Sequence, residues 1–127
     1  MGSIRAPGSS LSYRKAPLMD RMSLTVLIQQ QLSLARDAAS GRSAQTVYGG
    51  HARTLRQTLI AMTGGRRLDD HENPGEATLH VLHGRVRLTA GDAAEEGETG
   101  DLLIIPDARH ALEAIEDSAV LLTVAKR

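Results

Sequence analysis

Three of the five histidines in this chain, His71, His80 and His83, fall within the stretch HENPGEATLHVLHGR, residues 71–85. Imidazole is the commonest metal ligand in proteins. A chain without cysteine has few other soft ligands to offer. The stretch therefore raises the question of a metal centre, and the answer turns on which histidines share a face. On a strand, side chains two positions apart point the same way. His71 and Asn73 form such a pair, whereas His80 lies an odd number of places from Ala77 and looks to the opposite side. The remaining histidines are His51, which follows the Gly49-Gly50 pair, and His110, in GDLLIIPDARHAL.

Other chemistries have less to stand on. With no cysteine there is no disulfide, thiolate nucleophile or iron–sulfur cluster. Ser9, Ser10 and Ser118 have no base at a useful spacing. Glu95, Glu96 and Glu98 sit in GDAAEEGETG, which reads as a solvated hairpin loop with nothing to desolvate them. Fifteen basic residues cancel fifteen acidic ones, so the basic surplus that drives binding to nucleic acid or anionic membrane is missing. Two tyrosines are the only aromatics, which leaves no stacking platform for bases or sugars. The most apolar run, LTVLI, is too short for a signal core or a membrane span. These features point to a cytoplasmic protein with neither nucleic acid nor membrane as a partner.

The elements that must position the histidines follow from periodicity. Residues 1–20 are rich in Gly, Ser and Pro and read as a flexible tail. Residues 21–43 hold a helix and linker: Ser23 is the N-cap, Leu24, Leu27, Ile28, Leu32, Ala35 and Ala39 follow helical spacing, and Gly41 is the stop. From 44 to 127 the period becomes two. Seven strands are predicted, over 44–48, 55–63, 77–82, 85–90, 101–106, 110–115 and 119–125, separated by turn residues. That pattern predicts an all-β domain, an antiparallel barrel or sandwich preceded by one N-terminal α-helix. Gln57 shares its parity with Leu55, Leu59 and Ala61, so it is the residue of its strand expected to face inward and contact a ligand.

Gly64-Gly65, His71, VLHGRVRL and GDLLIIPDARHAL together resemble the two motifs of the small single-domain cupins, which are jelly-roll barrels. The resemblance covers about residues 44–125. Gly100 and Pro106 match the start of the second motif, and His110 stands one residue before the place of its final metal ligand. Ala108 replaces the motif's glycine. Anchoring the first motif on Gly84 puts its two histidine positions at His71 and Asn73 and its glutamate position at Ala77. A shifted register would instead offer Glu76, at the cost of the spacing to the glycine.

The resemblance implies a divalent transition metal ion, bound weakly because the ligand set is incomplete. His71 and His110 are its ligands, His51 a further ligand from a loop over the barrel mouth, and Gln57 and Asn73 contacts to a small polar molecule in the barrel. His80 and His83 are expected at the surface. Cupins include dioxygenases and isomerases, so a metal-dependent enzyme is the alternative to a binding protein, and a dimerising scaffold with a vestigial pocket is the third reading. A homodimer is expected, through the outward residues of ATLHVLHGR and the helix over 24–39.

Overall fold

A computed structural model describes residues 17, 19–72 and 75–126, which form one helix and nine strands. The tail expected over 1–20 falls, but for residues 17, 19 and 20, outside the described residues, and so does Asn73. Helix α1 (Leu24–Asp37) begins where Ser23 Oγ accepts the Val26 N–H at 3.2 Å, satisfying one of the free donors of the first turn. Leu32 and Ala35 are buried against Ala61, with Ile28 packed beside them. The helix ends at Asp37, before the expected glycine. Gly41 serves the next turn instead: at φ +69° its carbonyl accepts the Thr63 N–H at 2.9 Å, where the chain passes into the sheet. The helix also buries Gln31, whose amide donates to Gln45 Oε1 at 3.0 Å and accepts from Ser43 Oγ at 2.7 Å. A polar group can be buried there because both ends of its amide are bonded.

The strands are β1 (Arg42–Tyr48), β2 (Leu55–Met62), β3 (Arg67–His71), β4 (Gly75–His83), β5 (Arg85–Ala90), β6 (Ala93–Glu98), β7 (Leu102–Ile105), β8 (His110–Ala114) and β9 (Ser118–Lys126). One sheet has the order β1-β2-β9-β4-β7 and the other β3-β8-β5-β6, with every pair antiparallel. Their inner faces meet in a core that includes Met62, Leu79, Val81, Leu103 and Val120 from the first sheet and Val86, Leu88 and Leu112 from the second. The all-β barrel with an N-terminal helix is the architecture that the change of period after Gly41 predicts.

Two strands lie where loops are predicted. RLDDH (β3) and AAEEGE (β6) carry almost no apolar side chains, so no alternation marks them. Their pairing comes from neighbours. On β6, Glu96 meets Arg85 at 3.3 Å and Arg87 at 3.4 Å across the ladder. Over the outside of this sheet one register row reads Arg67, Glu113, Arg87, Glu96, alternating in sign from strand to strand.

The β4–β5 turn is closed by Gly84, at φ +92°, where an added Cβ would run into the Asp117 carbonyl and the Ser118 hydroxyl. Ser118 is buried and its Oγ accepts the Arg85 N–H at 3.0 Å, so this serine staples two strands.

Candidate metal-binding site at the barrel mouth

His110 opens β8, and its parity with Leu112 turns it into the barrel. His71 reaches the same place by a different device. Leu68 also lines the interior, yet it is three residues from His71, a separation that a regular strand assigns to opposite faces. The register resolves this: Leu68 pairs with Leu112 and His71 with His110, so β3 carries one extra residue at Asp69–Asp70. This bulge re-aims His71 inward. Arg67 holds it from one side, 3.4 Å from Asp69 and 3.7 Å from Asp70. Arg109 holds it from the other, donating to the Asp70 carbonyl at 3.2 Å and to Glu72 at 3.2 Å. Sequence reasoning missed both arginines; the only signal was the run of acids beside His71.

The two imidazoles meet edge to face, with ring centroids 4.3 Å apart and planes at 64°. His71 Nδ1 lies 2.9 Å from the Asp69 carbonyl, and His110 Nδ1 lies 3.0 Å from the Ala108 carbonyl. A carbonyl oxygen only accepts, so both Nδ1 atoms carry protons. No described residue bonds either Nε2 atom. Each ring therefore has the arrangement of a metal-ligating histidine, one nitrogen oriented by a backbone acceptor and the other free. His110 is only 5 % exposed while His71 is open to solvent, which gives a path inward.

Between the rings and seven aliphatic side chains, Ile60, Leu68, Leu79, Leu88, Ile105, Leu112 and Leu122, lies a cavity of about 20 Å³. That is room for one water or one ion. Ala77 faces this interior, and Glu76 is exposed on the other side of β4, so the glutamate slot of the expected ligand set holds a methyl group. Among the described residues no three His, Asp or Glu side chains converge. The residues present do not fit a complete three-histidine, one-carboxylate centre; among the described residues that line the cavity, His71 and His110 are the only side chains of ligand type.

The structure separates the other expected residues from this pair. His51 is exposed in the β1–β2 turn and does not line the cavity. His80 is exposed, as its odd spacing from Ala77 predicts, and His83 is exposed beside the turn at Gly84, where a register shift after Val81 breaks the alternation. Gln57 is the clear correction. Its parity partners Leu59 and Ala61 are indeed buried, but Ala61 is buried under α1 while Ile60 and Met62 face the barrel. Gln57 lies on that outer face, donating to Thr123 Oγ1 at 3.1 Å. A helix covering the sheet buries both faces of β2, so burial parity alone could not say which face was the interior.

No family model matches the sequence, and no curated protein matches it. Solved structures do match. A conserved protein of unknown function from Streptococcus pyogenes aligns with a TM-score of 0.64 at 24% identity, over 71% of this chain and 78% of that one. A cupin superfamily protein from Desulfitobacterium hafniense aligns with a TM-score of 0.62 at 16% identity, over 68% of this chain and 78% of its own. The fold is a cupin barrel. The same fold also aligns with part of a larger enzyme: a salicylate 1,2-dioxygenase mutant from Pseudoaminobacter salicylatoxidans, solved with gentisate, matches with a TM-score of 0.68 at 19% identity. The alignment covers 84% of this chain but 32% of the dioxygenase. At such identities the likeness carries the cupin architecture and no activity.

Proposed function

We propose that this chain is a small cupin-fold binding protein whose barrel holds a single divalent transition metal ion between His71 and His110. The observation that carries the reading is the matched pair of Nδ1 hydrogen bonds to backbone carbonyls, which leaves both Nε2 atoms without a bond from any described residue, on two rings that line a cavity of ion size. Such an ion, when bound, would supply a Lewis acid with open positions for water or a small polar ligand. With Ala77 where a carboxylate would stand, affinity falls below that of a complete centre, because it follows ligand number and type. The same substitution, and a cavity too small for an aromatic acid, favour a binding role over dioxygenase chemistry.

Isothermal calorimetry of metal-stripped, untagged protein with Ni²⁺, Co²⁺ or Zn²⁺ tests the reading. One ion per chain is expected, with binding lost in His71→Ala and in His110→Ala. Binding that persists in the double variant would place the ion elsewhere.

We also propose a homodimer and a cytoplasmic location. No helix among the described residues is long and apolar enough to cross a membrane. The dimer reading rests on the contrast between the sheets. The outer face of β7 exposes Leu102 at 58% and Ile104 at 69%, while the other sheet presents its row of alternating charges. Zero net charge puts no long-range repulsion between two copies.

A further inference from the structure

The barrel interior is ion-sized, yet the molecule has a ligand-sized concavity elsewhere. Outside the five-stranded sheet, between the start of α1, the end of β1 and the start of β2, lies a groove of about 790 Å³. That is the volume range of small-molecule sites. Its walls are apolar, from Leu24, Leu55 and Leu121. Its charged groups among the described residues are Arg21, Arg53 and Asp20, and Gln57 and the Tyr48 hydroxyl are its neutral polar groups. Among the described residues neither guanidinium has an ion-pair partner. Lys126 adds a third positive charge nearby, its Nζ donating to the carbonyl of Gly50 at 2.7 Å in the same turn as Arg53. Gln57 spends one N–H on Thr123 and keeps a second. Tyr48 and Leu55, both at this groove, are two of the exposed large apolar residues of the chain.

We propose that this groove is a second binding site, independent of the histidine pair, for a small amphipathic carboxylate: an aryl or branched aliphatic acid with its apolar body against the leucines and its anionic head between Arg21 and Arg53. The charge balance selects an anion, since two unpaired guanidiniums face a single carboxylate. The walls select an apolar body, because a bare inorganic anion would leave them in water. Arginine suits the head, offering a planar pair of N–H donors to a carboxylate. The site also gives Gln57 a ligand contact that the barrel interior cannot.

The test is a titration of the full-length protein with benzoate, followed by the side-chain amide signal of Gln57 and the ring signals of Tyr48 in NMR spectra. Saturable shifts at millimolar benzoate are expected, with 4-methylpentanoate in place of benzoate giving the branched aliphatic arm. Benzamide, the neutral isostere, should bind at least about tenfold more weakly. The Arg21→Gln/Arg53→Gln double variant should lose a similar factor, whereas Arg85→Gln, on the opposite sheet, should change nothing. His71→Ala should bind benzoate as the parent does. Absence of saturable shifts with either acid overturns the proposal. So does binding that ignores loss of both guanidiniums, or binding abolished by His71→Ala, which would move the acid into the barrel.

Discussion

Arg36 of α1 and Asp117 of the β8–β9 turn form an ion pair with 3.0 Å between Nε and Oδ2. The other carboxylate oxygen accepts the Gly64 N–H at 2.9 Å, so one side chain ties the helix to two turns of the barrel. The Gly64 N–H first, and Arg36 after it, hold the Asp117 carboxyl below its ordinary value of 3.8. A depressed folded-state value stabilises the fold at pH above 3.8, and that contribution disappears as pH falls through the lowered value.

Asp117→Asn should therefore cost about 1 kcal/mol or less at pH 7, the pair being partly exposed. The gap in melting temperature between variant and parent should close as the solution is acidified below pH 3.8. Thermal melts at neutral and acid pH check this; a gap that widens on acidification would contradict it.

The incomplete ligand set can be completed. Asn73→His with Ala77→Glu should raise affinity for a divalent transition metal by at least about tenfold. Ala77→Glu alone should lower the melting temperature of the metal-free protein, since it places a carboxylate among core side chains. Added metal should recover part of that loss. His83→Ala should leave the calorimetric titration unchanged.

The helix rests on its own small cluster rather than on the barrel core. Leu32→Ala, which hollows that cluster, should cost roughly 2–4 kcal/mol. Chemical denaturation followed by circular dichroism gives the number, and a loss below about 1 kcal/mol would show that Leu32 is not what holds the helix down.

Sedimentation equilibrium at micromolar concentration should give a species of twice 13.6 kDa. Leu102→Glu with Ile104→Glu should return it to 13.6 kDa with unchanged β-sheet signal. A parent protein that sediments only as a monomer would remove the dimer.

The barrel was legible in the sequence because its core strands alternate: LHVL, RVRL and LLII each put every second side chain into one shared interior. β3 and β6 were not legible, since an edge strand of charged residues owes its conformation to the strand beside it and leaves no period of its own. The motif resemblance brings both His71 and His110 to the site, but alternation supports only His110, which shares its parity with Leu112. For His71 the bulge is set by register with a partner strand, and its three-residue offset from Leu68 reads as a contradiction until β8 is in view. Gln57 shows the opposite failure, in which the parity was right and the layer was wrong.

The alternating row of Arg67, Glu113, Arg87 and Glu96 has a consequence at long range. Adjacent strands lie about 4.8 Å apart, well inside the screening length of about 8 Å in physiological salt, so the four charges act as neighbours that cancel. From farther out, that wall has almost no field. An ion or acid approaching the molecule is neither steered along it nor repelled, and its encounter rate on that side should barely change with ionic strength.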